Sequence, residues 1–311
     1  MRMLSPLSGR VAVSLWIMAA AVAWLVINIT DARSSHFSHL WPPDHRYWFG
    51  VLVAIGGLLI APACGLRAAR TYGLQSYVGR AVLLFSVGLS MWSLGSVAWF
   101  WYNTCGEWPS ALGCANGVEA PYPSIADAGF LLAAACYAAG LLVMCKPLGL
   151  DWREARAQWW IPALIIVVTG YFYLPPVHFG PLVYGRAWLF NSGYTLTQSI
   201  FSTLYMVSDV AIMSLALLLL ARARLAVGGM LFRPLLLVSA SFIVLYFGDM
   251  VFDQRDSSGV YFNGDVSDGL YALAQAVLLV AFLVFRREHI QLTQRLAARA
   301  ASGPAVAEVG A

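Results

Sequence analysis

The chain has 311 residues, of which 60% are hydrophobic and 11% charged, with a formal net charge of +4. This composition excludes an ordinary soluble domain and indicates an integral membrane protein. A transmembrane barrel would show alternating segments of about 10 residues, whereas the apolar runs here are continuous, so the expected class is all-α.

A helix needs about 20 apolar residues to cross the hydrocarbon core. Eight runs qualify: Val11 to Ile29, Trp48 to Cys64, Ala81 to Tyr102, Ile125 to Met144, Trp159 to Leu174, Ile200 to Ala221, Leu235 to Val251 and Val266 to Phe285. They predict an eight-helix transmembrane domain over 1–285, a cytoplasmic helical extension over 286–301 and a disordered tail over 302–311. The first run is longer than the usual signal-peptide core of about 7 to 15 residues, and it reads as a span.

Basic residues near span ends are retained in the cytoplasm. Arg2, Arg10, Arg67, Arg70, Arg80, Lys146, Arg153, Arg156, Arg222, Arg224, Arg233, Arg286, Arg287, Arg295 and Arg299 fall on one set of ends. Only Arg33, Arg46, Arg186 and Arg255 fall on the other. This alternation predicts that both termini are cytoplasmic. No basic cluster with interleaved aromatics occurs, so the expected surroundings are lipid rather than nucleic acid.

In chain order, the first outer loop carries His36 and His39, an HxxH spacing that a metal accepts. With Trp41, Pro42 and Pro43 breaking the segment, an interfacial loop with exposed histidines is the competing reading. Glycines at 50, 56, 57, 65, 88 and 95 suit close helix packing in lipid. Cys105 and Cys114 share the loop between the third and fourth spans, where an oxidising face favours a disulfide over two free thiols. Cys64, Cys136 and Cys145 read as packing residues.

The stretch PYPSIADAGFLLAAACYAAG then opens the fourth span, with Ser124 as N-cap and Asp127 three residues on. Related openings recur at Ser208–Asp209 and Ser267–Asp268. Asp127, Asp265 and Asp268 have capping as their simplest role. Asp209 has no cap to occupy, and it stands about 20 Å along its helix from Arg222. A carboxylate at such depth marks a functional site or a structural hydrogen bond to a neighbouring helix. Asp249 is the second such candidate, with Arg255 and Tyr246 as expected partners and an interfacial ion pair as the alternative. Helices three and four resemble helices seven and eight: LGSVAWFWYN and PSIADAGFLL lie beside FGDMVFDQRD and GDVSDGLYAL, which predicts a parallel internal repeat. In a closed bundle Asp127, Asp209, Asp249 and Asp268 would line one outward-facing pocket as its ligand-binding residues.

The PSIADAGFL opening, the basic inner loops, the FGD helix and the SDGLYAL span resemble the multi-pass N-terminal sensory region found ahead of GGDEF-type diguanylate cyclase domains, some with EAL domains. The resemblance implies an input module in the bacterial inner membrane, with Pro123, Ser124, Asp127, Asp249 and Asp268 as motif positions. It brings no catalytic residue and no cofactor, and the sequence contains neither a GGDEF nor an EAL motif.

Two readings of function stand. The first is a sensory or regulatory protein whose final helix signals to a cytoplasmic enzyme or regulator, with a homodimer expected by analogy. The second is a small ion-coupled transporter that uses the intramembrane aspartates. HExxH, GxSxG and P-loop motifs are absent from the sequence, so an enzyme is not the expectation. The only lysine, Lys146, lies in an inner loop, where it cannot hold retinal within a span.

Overall fold

The computed structural model describes residues 6–32, 44–107, 121–150, 152–173, 177–179, 182–184, 195–225, 229–258 and 260–301. His36, His39, Cys114 and the tail 302–311 lie outside the described residues. The elements are α1 (Pro6–Ala32), α2 (Asp44–Ile55), a π turn (Gly56–Ile60), α3 (Ala61–Tyr72), α4 (Tyr77–Glu107), α5 (Ile125–Cys145), α6 (Trp152–Ala157), α7 (Trp160–Tyr173), β1 (Val177–Phe179), β2 (Leu182–Tyr184), α8 (Leu196–Leu225), α9 (Phe232–Ser257) and α10 (Val266–Ala301). The two short strands form an antiparallel hairpin with His178 opposite Val183.

Among the described residues, seven segments are long and apolar enough to cross a membrane: Gly9–Asn28, Phe49–Tyr72, Tyr77–Tyr102, Ile125–Leu148, Leu196–Ala223, Phe232–Asp256 and Val266–Ala301. The protein is an all-α, multi-pass membrane protein. The fifth expected span, Trp159 to Leu174, is α7, which has 14 residues and is about 21 Å long against a core of about 30 Å. Pro162 is the physical cause at its start. A proline ring clashes with the carbonyl four residues back and cannot donate to it. The Gln158 carbonyl takes the Ile161 amide instead, at 3.0 Å, so α6 breaks at Gln158 and Trp159 before α7 begins.

The second span bends through its π turn for a related reason. Pro62 opens α3 immediately after the turn, and the change of hydrogen-bond register there leaves preceding carbonyls in need of donors. Trp16 Nε1 of α1 donates to Leu52 O at 2.7 Å, and Gln275 Nε2 of α10 donates to Val53 O at 3.0 Å. Side chains from two other helices thus complete the backbone of the second.

Small residues set how closely the helices approach. A Cβ on Gly129 of α5 would stand 2.7 Å from the backbone of Gly95 on α4, so the α4–α5 crossing requires glycine. On the α3–α4 face, Ser86 Oγ donates to Ala61 O at 2.9 Å and Ser90 Oγ to Gly57 O at 3.0 Å. Six spans pack in a circuit: α3 on α4, α4 on α5, α5 on α8, α8 on α9, α9 on α10, and α10 back on α3. α1 lies against α2 and α10, and α7 against α8. Phe85, Tyr137, Phe242, Leu278 and Phe282 fill the middle, with Tyr137 and Phe242 ring centroids 4.9 Å apart.

Candidate functional site

Two ends of the bundle differ in chemistry. Arg67, Arg70, Arg80 and Arg233 sit near helix ends, and Arg233 approaches Glu288, which follows Arg286 and Arg287 along α10, at 3.6 Å. Carboxylates gather toward the opposite end, and each of three takes a tyrosine hydroxyl.

Asp127 opens α5. Ser124 Oγ accepts the Ala126 amide, and Asp127 Oδ2 accepts the Ser124 amide at 2.5 Å, a reciprocal cap. The cap uses one carboxylate oxygen. The other takes the Tyr205 hydroxyl of α8 at 2.7 Å, so Asp127 also joins two helices. Nearby, Gln198 Nε2 donates to Tyr122 O at 3.2 Å, and the Tyr122 and Ser202 hydroxyls are 2.8 Å apart. The N-termini of α5 and α8 therefore share one end.

Asp265 and Asp268 open α10 in the same way. Asp265 Oδ1 accepts the Ser267 amide at 2.8 Å, and its other oxygen pairs with Arg255 Nε of α9. Asp268 Oδ2 accepts the Gly264 amide at 2.5 Å and faces the Tyr261 hydroxyl at 3.2 Å. Burial, followed by the charge of Asp268, raises the Tyr261 phenol far above its ordinary range, so it stays a protonated donor. Trp99 Nε1 of α4 donates to the same hydroxyl at 3.3 Å.

Asp209 and Asp249 form the remaining part. They belong to adjacent helices, α8 and α9, and their carboxyl groups lie close enough to act on each other. Two carboxylates in contact repel unless a proton or another cation lies between them. The charged groups acting on the pair include a further carboxylate, Asp253. Tyr271 of α10 donates to Asp249 Oδ1 at 2.8 Å.

The expected partners of Asp249 are engaged elsewhere. Arg255 pairs with Asp265, and the Tyr246 hydroxyl lies 2.8 Å from Thr169 Oγ1 of α7. The four aspartates are not among the residues that wall one cavity within the bundle. That cavity lies beneath Tyr271 and is walled by Trp92, Tyr137, Phe242, Tyr271, Ser241 and Gln275, among others. Asp249 reaches it only through Tyr271. Cys105 is fully buried, while the free thiols among the described residues are Cys64, Cys136 and Cys145.

Tyr205, Tyr261, Tyr271 and Gln275 were not singled out in the sequence. Gln275 carried a legible signal, because an amide inside the apolar run ALAQAVLLV needs a partner in lipid. The tyrosines carried none, since their partners lie on other helices. Among the described residues no three His, Cys, Asp or Glu side chains converge as a metal site.

Fold and site together define a polytopic helical membrane protein with a belt of tyrosine-bound carboxylates at one end. No protein-family model matches the chain, and no similar curated protein and no similar solved structure is found.

Proposed function

We propose that this is a sensory membrane protein of the bacterial inner membrane, in which the carboxylate end faces outward and α10 carries its state to a cytoplasmic signalling enzyme or regulator. The observation that carries the reading is the continuity of α10. It is one helix of 36 residues, about 54 Å at 1.5 Å per residue, and exceeds the hydrocarbon core by roughly 20 Å. Its first turn holds Asp268, its second Tyr271, and its last turns expose Leu292, Leu296 and a row of arginines. A change of helix position at the acidic end is therefore transmitted through a rigid rod.

Eight crossings, with both termini in the cytoplasm, fit this reading. α5 and α8 begin at the same end, so the chain between Cys145 and Leu196 returns across the bundle, and α7 is the helix available for that return. A short span is accommodated by local thinning of the bilayer. The parallel repeat is supported by side-chain placement. Phe130 lies over Gly95 in the first pair of helices as Tyr271 lies over Gly248 in the second, and the matched residues Trp99 and Phe252 meet with ring centroids 5.9 Å apart. The motifs shared with sensory regions of diguanylate cyclases fall on this belt, at Asp127, Asp249 and Asp268.

The test is to fuse residues 1–301 to a cyclase domain deprived of its own membrane region. The expected result is membrane cyclase activity that changes at least severalfold with Asp249→Asn. Activity indifferent to Asp209, Asp249 and Asp268 overturns the proposal. A proton-coupled carrier is the second reading, favoured by the Asp209–Asp249 contact, and it predicts proton flux in liposomes that Asp209→Asn abolishes.

A further inference from the structure

We propose that the cavity beneath Tyr271 is a binding site for a small ammonium-type cation. The space is narrow and has room for about one water-sized guest. Its wall contains four aromatic side chains from four helices: Trp92 of α4, Tyr137 of α5, Phe242 of α9 and Tyr271 of α10. They touch in two pairs beside it, Tyr137 with Phe242 at 4.9 Å and Trp92 with Tyr271 at 5.5 Å between centroids.

Among the polar groups of the wall, one buried atom is left without a partner. Ser241 Oγ donates to Ala274 O at 2.8 Å. Gln275 donates its amide to the Val53 carbonyl at the π turn. The Gln275 side-chain oxygen, on a residue only 2% exposed, has no donor. An unmet amide oxygen calls for a hydrogen-bond donor.

Charge selects which donor. A neutral water is held by two to four polar partners, whereas this wall offers chiefly one orphan acceptor and aromatic rings, whose faces attract cations. The Tyr271 hydroxyl is engaged with Asp249, which meets Asp209, so the carboxylate pair stands one residue above the chamber and favours positive charge within it. An ammonium ion uses both the acceptor and the rings. Potassium has a similar charge and donates no hydrogen bond, which makes it the discriminating control.

This inference adds a ligand class to the sensory reading just proposed and rests on it, but its test needs no signalling output. Purified protein in lipid nanodiscs is titrated with ammonium chloride against potassium chloride at constant ionic strength, and the thermal unfolding midpoint and tryptophan fluorescence are followed. The expected result is a saturable response to ammonium, with the apparent Kd raised at least tenfold by Gln275→Leu and by Leu245→Phe. The second variant fills the cavity without removing a hydrogen bond, so it decides the matter alone if the first does not fold. An equal response to potassium, or an unaltered ammonium response in Leu245→Phe, overturns the proposal. Failure here leaves signalling through α10 standing, and loss of signalling with binding intact removes only that reading.

Discussion

Tyr271 of α10 donates its hydroxyl to Asp249 of α9 at 2.8 Å, and Asp249 in turn meets Asp209 of α8. One tyrosine thus ties three helices together at the level where the acidic belt meets the aromatic interior. The Asp209–Asp249 contact holds only while a proton or another cation bridges it.

Asparagine at position 209 supplies its own donor, so the contact persists without a bridging cation. Asp209→Asn is expected to express and fold as the wild type does, with a stability change within about 1 kcal/mol, while losing its response to cations. Asp127→Ala behaves oppositely. It removes a cap worth about 1 kcal/mol and strips the Tyr205 hydroxyl of its acceptor, a further 1 kcal/mol or so. Thermal unfolding in detergent should therefore show Asp127→Ala destabilised by about 2 kcal/mol, and equal losses in the two variants would contradict the assignment.

Two glycines separate close approach from backbone conformation. Gly129→Ala places a methyl 2.7 Å from the Gly95 backbone and is expected to push α4 and α5 apart, with a marked loss of folded protein by size-exclusion chromatography. Gly149, at φ +66° with nothing within 4 Å of an added Cβ, meets only the strain of a left-handed residue. Gly149→Ala should cost about 1 kcal/mol and leave the elution profile unchanged.

Cysteine alkylation tests the loop between α4 and α5. With unfolding but no reductant, three cysteines are expected to react, namely Cys64, Cys136 and Cys145; after reduction all five cysteines of the chain should. Five alkylated before reduction would remove the Cys105–Cys114 disulfide.

The crossing made by α7 is tested by tags at either end of it. Tags inserted at Gly149 and within 185–194 should be accessible from opposite faces of the membrane. Accessibility from the same face would mean that α7 does not cross.

The sequence carried the architecture further than the contacts. Continuous apolar runs marked the spans, and glycine spacing marked the tight α4–α5 face, because both depend on residue type alone. The Ser124–Asp127 cap was legible for the same reason, its partners lying within three residues. What failed was pairing across helices. Asp249 looked suited to Arg255, six residues away, yet Arg255 lies on Asp265, and the partners of Asp249 are 40 residues before it and 22 after it in Asp209 and Tyr271. Hydropathy placed the fifth run at Trp159 to Leu174, within one residue of α7 at either end; the break at Gln158 and Trp159 before it went unread, although Pro162 carries that signal.

The most direct test of the account is a distance measured at the arginine end. With the free cysteines Cys64, Cys136 and Cys145 replaced by alanine, spin labels at Leu74, in the turn after α3, and at Leu296, near the end of α10, report how the final helix sits against the bundle. Both positions are exposed, at 41% and 55%. If α10 carries the state of the acidic belt, Tyr271→Phe or Asp249→Asn shifts the distance distribution by several Å relative to the parent. Superimposable distributions in all three proteins, with the bundle folded, would contradict transmission through α10.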